Sequence, residues 1–264
     1  MYLHNIYRVL FIIFFTGAIK MESGSGMASE HINTQTELAS LTTASLISLP
    51  KAVLFDWDNT IVDTWLLLHQ GMCNLFEKRS MEPWSLQQTK DLFHESIRDA
   101  FPKLFSDDWE DAINDFHSYS KENHLTDLTL LPYTREIIEI LNKLNIPIGI
   151  VSNKNKELVL REIEYVGFST LVDAVVGSGD AAFDKPHSAP VLFALEQLGI
   201  SPSSDAWMIG DTPVDWQAAK SAGIFSIAVC PQQVRTISDI AFTNLEPIFN
   251  FLNTTQTKLS DIIR

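Results

Sequence analysis

Short apolar runs alternate with amphipathic stretches of about ten residues through much of this chain, and that alternation limits the possible fold more than any other feature. The runs are too short for helices and are rich in β-branched and aromatic residues, which is typical of buried strands. Strands that alternate with helices form right-handed βαβ units around a mostly parallel sheet. We therefore predict an α/β fold with a Rossmann-like, doubly wound parallel sheet. The predicted strands cover residues 52–55, 146–151, 174–176, 207–209 and 225–229, and the predicted helices cover 134–144, 156–166, 189–198 and 213–222.

One interval departs from this rhythm. Between residues 64 and 131 the pattern is helical and contains no convincing strand. An insertion of this length directly after the first strand predicts an all-helical cap domain over the crevice at the carboxyl ends of the strands. We expect its aromatic residues to form its own core: Trp65, Phe76, Trp84, Phe93, Trp109 and Phe116. The other predicted units are a leader (1–49), a catalytic core (50–63 and 132–253) and a C-terminal tail (254–264).

Charge and cysteine content limit the possible partners. The 264 residues carry a formal net charge of −14 and contain no basic stripe, so a nucleic-acid partner is not expected. The only cysteines, Cys73 and Cys230, are far apart and outside any metal-ligand spacing. These features predict a reduced, cytoplasmic location without a stable membrane partner, and they leave the oligomeric state open.

The amino-terminal residues allow two interpretations. The apolar run at 9–19 follows Arg8 and is similar to the hydrophobic region of a signal peptide, but it is short for a bilayer span and no small-residue cleavage site follows. The stretch after it is rich in Gly, Ser and Thr, which is typical of disordered segments. A flexible or mis-extended leader is the first interpretation, and an export or anchor signal is the second.

Two carboxylates, Asp56 and Asp58, follow the first predicted strand in the run KAVLFDWDNT. The carboxyl ends of parallel strands line the ligand crevice, where such a pair can hold a metal ion and attack an electrophile. Asn59 suits the bend that follows, because Asn tolerates left-handed backbone geometry. An EF-hand loop is excluded, since a strand precedes the run and its twelfth position is Leu67 rather than Glu.

Three further strand ends carry polar groups. Ser152 and Asn153 follow the second predicted strand and are placed to donate hydrogen bonds, and Lys185 follows the third. Asp211 and Asp215 follow the fourth strand, at the start of a helix, where an acid such as Asp215 also has a purely structural interpretation. Carboxylates, a hydroxyl and a lysine are the groups that phosphoryl transfer requires, and an oxygen-only ligand set suits Mg²⁺.

The order of these four motifs resembles the haloacid dehalogenase superfamily of hydrolases, and within it the phosphoglycolate phosphatase-like branch with a helical cap. DWDNT is similar to the nucleophile loop, VSN to the serine motif, DKPHSAP to the lysine motif and GDTPVDWQAAKSAG to the closing acidic motif. The resemblance covers about residues 51–229, with 245–252 as a closing helix. Two positions depart from the family pattern: Asn59 stands where glycine is usual, and Trp57 is bulky for its position. Neither departure removes a reacting group.

The resemblance implies a Mg²⁺-dependent phosphatase that hydrolyses a small phosphorylated metabolite through an aspartyl-phosphate intermediate. Asp56 would be the nucleophile, and Asp58 would be the general acid and base. Ser152, Asn153 and Lys185 would bind the phosphate; Asp56, the backbone carbonyl of Asp58 and Asp211 would bind the metal ion; and Asp215 would support the metal site.

Two alternatives to the phosphatase remain open. One is a phosphomutase of the same superfamily, similar to β-phosphoglucomutase, and the other is a catalytically idle binding or regulatory homologue. An acid at position 58 favours phosphoryl transfer over dehalogenation, which needs no proton donor there. An idle homologue would typically lack one of the acids, and all are present here. The cationic candidates for substrate selection are Arg98, Lys90, Lys103 and Arg79.

Overall fold

The computed structural model describes residues 48–93, 97–230 and 237–263. The strands of this part of the chain form a large parallel sheet and a small antiparallel ladder. The strands are β1 (Ala52–Phe55), β2 (Val62–Asp63), β3 (Thr129–Leu130), β4 (Ile148–Asn155), β5 (Ala174–Ser178), β6 (Ala206–Gly210), β7 (Phe225–Val229) and β8 (Ile240–Phe242). The large sheet has the order β5-β4-β1-β6-β7-β8, and every pair in it is parallel.

Helices connect these strands in the alternation that the sequence predicted, and the Rossmann-like α/β fold is confirmed. The predicted helices of the core begin at the predicted residues and end at most one residue early. Gly223, directly after α8, has a φ of 75°, as expected for a left-handed helix end. The helices are α1 (Trp65–Lys78), α2 (Leu86–Leu92), α3 (Ile97–Phe105), α4 (Trp109–Asn123), α5 (Thr134–Lys143), α6 (Lys156–Tyr165), α7 (Ala189–Gln197), α8 (Pro213–Ala222) and α9 (Glu246–Ile263).

Strand β1 lies at the centre of the large sheet, between β4 and β6. Successive side chains of a strand point to opposite faces, so β1 contributes to two hydrophobic cores. Val53 and Phe55 pack with α5, α6 and α9 on one face, whereas Leu54 packs with α7 and α8 on the other. Burial on both faces explains why β1 has a continuous apolar sequence rather than an alternating one.

Several sequence-based assignments are corrected by the structure. Strand β4 begins at Ile148 instead of residue 146, and β5 and β6 extend beyond the predicted ranges 174–176 and 207–209. Strand β4 continues to Asn155, so Ser152 and Asn153 lie within the strand rather than after it. Backbone pairing does not require apolar side chains, and Asn155 still pairs with Ser178 after an irregularity in the ladder. Strand β8 was not predicted from the sequence. Helix α9 is longer than the predicted closing helix and includes most of the predicted C-terminal tail.

The insertion after β1 is entered and left through the β2–β3 ladder, in which Val62 pairs with Leu130. The prediction that residues 64–131 contain no strand is therefore wrong at β3, whose two residues produce no periodic signal. Between the two strands, α1 to α4 surround a separate hydrophobic core. Phe76 and Phe116 are buried in it, and Trp84, Phe93 and Trp109 pack against it, whereas Trp65 lies beside the cleft described below.

The apolar run at residues 9–19 lies outside the described residues. Within the described ranges, no helix combines the length and the hydropathy needed to cross a bilayer.

Candidate active site

The loop after β1 brings Asp56 and Asp58 to the carboxyl edge of the sheet. The N–H of Asp56 donates to the carbonyl of Ile209 at 2.9 Å and extends the pairing between β1 and β6. The chain then turns at Asn59, whose φ of 60° is left-handed. The Asn59 side chain accepts a hydrogen bond from the N–H of Thr64 at 3.1 Å, which fixes the turn and gives Asn a role that glycine cannot fill.

The buried ammonium group of Lys185 joins the loop after β1, strand β4 and helix α8. Its Nζ lies 2.6 Å from Asp56 Oδ1, 2.6 Å from Asp215 Oδ1 and 2.6 Å from the carbonyl oxygen of Val151. The Asn153 side chain fixes the Lys185 backbone, since it donates to the Lys185 carbonyl at 2.8 Å and accepts from the Lys185 N–H at 2.9 Å. Asn153 therefore has a positioning contact that the sequence did not predict.

Burial and neighbouring charges shift the pKa values of Lys185 and Asp56 in opposite directions. Burial lowers the pKa of Lys185, but the carboxylates of Asp215 and Asp56 more than offset that effect, so the pKa is raised. Burial raises the pKa of Asp56 to about 7, against the lowering effect of the Lys185 ammonium. Lys185 therefore stays charged, whereas the charge of Asp56 depends on the groups that lie near it.

Asp211 and Asp215 are positioned by the turn between β6 and α8. Asp215 Oδ2 accepts from the backbone N–H of Thr212 at 3.0 Å and from its hydroxyl at 2.7 Å, which forms a capping box at the start of the helix. Gly210 is required because a Cβ at that position would lie 2.6 Å from Asp215 Oδ2. The glycine before Asp211 thus allows the closing acidic motif to fold back onto the sheet.

Carboxylate oxygens of Asp56, Asp211 and Asp215 all lie within 4.8 Å of one another. Burial raises the pKa of Asp211 well above its usual range, and the nearby charges of Asp56 and Asp215 raise it further. Lys185 neutralises only part of this negative charge, because it contacts Asp56 and Asp215 but not Asp211 in the hydrogen bonds described. A hard divalent cation fits such a set of oxygen donors.

Ser152 and Asp58 occupy the same cleft but are outside this carboxylate cluster. The Ser152 hydroxyl is nearly buried and accepts a hydrogen bond from the N–H of Lys154 at 3.1 Å. Asp58 Oδ1 lies 2.9 Å from Lys154 Nζ, so its side chain points toward Lys154 instead of toward Asp211. The Asp58 side chain is thus engaged by Lys154, and the backbone contact with the metal ion that the family resemblance implied stays a prediction.

The sequence interpretation gave no role in the site to four residues near Asp58, which are Trp57, His124, Lys154 and Glu162. The first three all contact the carboxylate of Glu162, which is fully buried on α6. Burial raises the pKa of Glu162, and the Lys154 ammonium opposes that shift. One signal was available in the sequence: Glu162 lies three residues after Val159 and directly before Ile163, on the apolar face of an amphipathic helix.

A cleft of about 860 Å³ opens above these residues. The predicted site residues line this cleft, and so do Trp65, Phe93 and Trp109 of the helical insertion. Among the described side chains, the lysines and arginines that line it besides Lys185 and Lys154 are Lys121 and Arg161, and the Arg98 side chain lies outside the described part.

The proposed selectivity cations in the insertion do not all face the substrate space. Arg79 instead pairs with Asp115, at 2.9 Å, and with Asp108. Lys90 lies over the Trp65 ring, 5.1 Å from its centroid.

Comparisons with known proteins show which sequences and structures this chain resembles. A PpaX protein of Caldanaerobacter subterraneus subsp. tengcongensis is 32% identical over 178 residues, which are 67% of this chain and 80% of that protein. A phosphoglycolate phosphatase of Chromobacterium violaceum is 28% identical over 68% of this chain and 84% of that protein. The crystal structure of a haloacid dehalogenase superfamily hydrolase from Ehrlichia chaffeensis superposes on this chain with a TM-score of 0.56 and 29% identity. The match covers 79% of this chain and 98% of that one.

The sequence profile of the haloacid dehalogenase-like hydrolase family matches residues 53–229, from the first strand of the sheet to the last residue of β7. The chain belongs to this family of hydrolases, and the resemblance read from its four motifs is confirmed.

Proposed function

We propose that the protein is a Mg²⁺-dependent phosphatase that hydrolyses small phosphomonoesters through an aspartyl-phosphate on Asp56. The observation that carries this proposal is the contact of Lys185 Nζ with Asp56 and Asp215, beside Asp211, which Lys185 does not contact in the hydrogen bonds described. The relatives named pyrophosphatase and phosphoglycolate phosphatase support phosphate-bearing substrates of small size.

The metal ion would be held by Asp56, Asp211 and the backbone carbonyl of Asp58. Asp215 supports the metal site indirectly, because its two oxygens already accept hydrogen bonds from Lys185 and Thr212. When bound, Mg²⁺ supplies positive charge that offsets repulsion between a carboxylate nucleophile and a phosphate dianion.

Side chains of the protein carry out the bond-making and proton-transfer steps. An oxygen of Asp56 attacks phosphorus as the ester P–O bond breaks, and Asp58 gives its proton to the departing alkoxide. Asp58 then removes a proton from water, which attacks the acyl phosphate and releases inorganic phosphate and free Asp56. Ser152 and Lys185 stabilise the phosphoryl oxygens, whereas Asn153 holds the Lys185 loop in position.

The helical insertion acts as a lid in this proposal. It is joined to the core by the short β2–β3 ladder, has its own hydrophobic core and contributes one wall of the cleft. Closure over the site would exclude water and bring specificity contacts to the leaving group. Hydrogen exchange in residues 65–123 should slow when a phosphate analogue and Mg²⁺ bind, and unchanged exchange would contradict the lid.

Activity is tested with a panel of small phosphate esters. Purified protein should release inorganic phosphate with Mg²⁺, and a chelator should stop the release. No hydrolysis across a broad panel would overturn the phosphatase proposal. Conversion of an ester to its isomer, dependent on a bisphosphate activator, would identify a phosphomutase instead.

A further inference from the structure

Glu162 is the centre of a buried polar cluster that no step of the proposed hydrolysis uses. Its Oε2 accepts a hydrogen bond from the indole Nε1 of Trp57, and its Oε1 lies 3.0 Å from His124 Nδ1. Lys154 Nζ lies 2.7 Å from Oε1 and 2.9 Å from Oε2. These partners come from the β1 loop, the end of α4 and β4, so three separate parts of the fold fix one carboxylate.

Lys154 extends this cluster to the cleft. The same Nζ that contacts Glu162 lies 2.9 Å from Asp58 Oδ1. The side chains of Glu162, Lys154 and Asp58 are 0%, 12% and 24% exposed, so the chain of contacts runs from the interior to the edge of the cleft. A lysine that only neutralised Glu162 would not need to reach a second carboxylate at the reaction site.

Trp57 also helps to hold Asp58 in place, because the two residues are neighbours in the backbone. It lies between Asp56 and Asp58 in the chain and is completely buried. Its hydrogen bond to Glu162 therefore anchors the peptide that carries both reacting carboxylates, while Lys154 anchors the Asp58 side chain. The bulky residue that departs from the family pattern thus has a defined partner.

We propose that Lys154 and Trp57, held by Glu162, are positioning residues that orient the Asp58 carboxylate for its two proton transfers. This inference rests on the proposed phosphatase function, in which Asp58 protonates the leaving group and then activates water. Without Lys154, the carboxylate is free to turn away from the leaving oxygen. A misplacement of about 1 Å can cost about 10²-fold in rate.

The test compares leaving groups. In Lys154→Met, kcat/KM for an alkyl phosphate, which reports the steps up to departure of the leaving group, should fall by about 10²-fold, because the leaving alkoxide requires a proton. For p-nitrophenyl phosphate, whose leaving group is stable without a proton, kcat/KM should fall far less. Lys154→Arg should restore part of the alkyl phosphate rate, since it returns a cation between the two carboxylates.

Lys156→Met is the matched control. Lys156 lies two residues further along, is 38% exposed and pairs with Asp180 at 2.9 Å. This variant should keep the wild-type ratio between the two substrates. Trp57→Phe provides a second test that keeps an aromatic six-membered ring and removes the five-membered ring with its N–H, and it should shift the ratio of kcat/KM values in the same direction as Lys154→Met. Melting temperatures show whether each variant is folded.

The possible outcomes separate this inference from the proposed function. Wild-type protein that hydrolyses neither substrate would overturn both. Active wild-type protein with equal losses of kcat/KM for both substrates in Lys154→Met would overturn the positioning role alone. If Lys154→Met does not fold, Trp57→Phe decides, and a wild-type substrate ratio in that variant would overturn the inference.

Discussion

Lys185 Nζ lies 2.6 Å from Asp56 Oδ1, although 129 residues separate the two in the chain. The contact exists because β1 lies beside β4, whose other neighbour is β5, so the segments that follow these parallel strands lie at one edge of the sheet. It places a buried cation against the proposed nucleophile, where it both restrains that carboxylate and offsets its charge. The same cation is also the main partner of Asp215 in the interior.

Lys185→Met should strongly destabilise the fold, because it leaves the buried carboxylates of Asp56 and Asp215 without their cation. Removal of one partner of a buried ion pair typically costs about 3–5 kcal/mol. Urea denaturation of the metal-free protein measures the change. The control is Lys51→Met, whose exposed pair with Asp205 should contribute at most about 1 kcal/mol. Similar costs for both variants would show that Lys185 does not balance buried charge.

Gly210→Ala should lower activity by displacing Asp215. The added Cβ would lie 2.6 Å from Asp215 Oδ2, and Lys185 and Thr212 hold that carboxylate in place. We expect a loss of stability of about 1–3 kcal/mol from overpacking, and a fall in kcat of about 10²-fold from misplacement of the metal-supporting acid. Steady-state kinetics and denaturation measure the two effects.

Gly167→Ala provides the control for Gly210→Ala. Gly167 has a φ of 79°, and a Cβ there would meet no atom within 4 Å. The substitution should cost about 1–2 kcal/mol through left-handed strain and leave activity unchanged. If the two variants lose activity equally, the close approach at Gly210 has no specific role.

The fold and the proximity of the proposed residues follow from a simple pattern in the sequence. Each polar group comes at or near the end of a short apolar run, and a parallel sheet brings such ends to one edge. The contacts of Lys185 with Asp56 and Asp215 therefore join motifs that were recognisable before any coordinates. The extension of β4 past Ser152 was not predictable in the same way, because its last residues are polar.

The cluster around Glu162 shows where sequence reasoning stops. Trp57 and Glu162 are 105 residues apart, and no local pattern relates an indole in a loop to a carboxylate on a helix. The helical periodicity places Glu162 on the buried face but does not identify the groups that satisfy it. Lys154 illustrates the same limit, because a lysine beside a polar strand end looks like an ordinary surface charge until its two partners are known.

Asp211→Asn should stabilise the metal-free protein at neutral pH. The pKa of Asp211 is raised in the folded state by burial and neighbouring charge, from a usual value of 3.8. The folded state therefore binds this proton more tightly than the unfolded state, and wild-type stability falls as pH rises from about 4 through the raised pKa. Asn carries no charge, so this part of the pH dependence should disappear in the variant.

Thermal unfolding at several pH values, with and without Mg²⁺, measures both consequences. The stability difference between Asp211→Asn and wild type should grow as pH rises above about 4 in metal-free buffer. Added Mg²⁺ should stabilise the wild type, by about 2.7 kcal/mol at a concentration of 100 times Kd, and should stabilise the variant less. A variant that is less stable than wild type without metal would contradict the raised pKa of Asp211, and a variant that gains equally from Mg²⁺ would contradict the assignment of Asp211 as a ligand.

Asp56→Asn and Asp58→Asn should fail at different steps. Asp56→Asn removes the attacking oxygen's charge and should abolish formation of the aspartyl-phosphate. Asp58→Asn keeps the nucleophile and removes the proton donor and base, which typically contributes about 10² to 10⁴ in rate. This variant should still form the intermediate slowly, with the smallest loss for an activated aryl phosphate, and should fail to discharge it.

Mass spectrometry of protein quenched during turnover locates the phosphoryl group directly. In the wild type and in Asp58→Asn the added mass should lie on Asp56, and it should accumulate in Asp58→Asn because no base activates the water that releases it. Asp63→Asn is a suitable control, since Asp63 is exposed on the neighbouring β2 and accepts a hydrogen bond only from the N–H of Trp65 among the bonds described. Phosphate on a residue other than Asp56, or full activity in Asp56→Asn, would show that Asp56 is not the nucleophile.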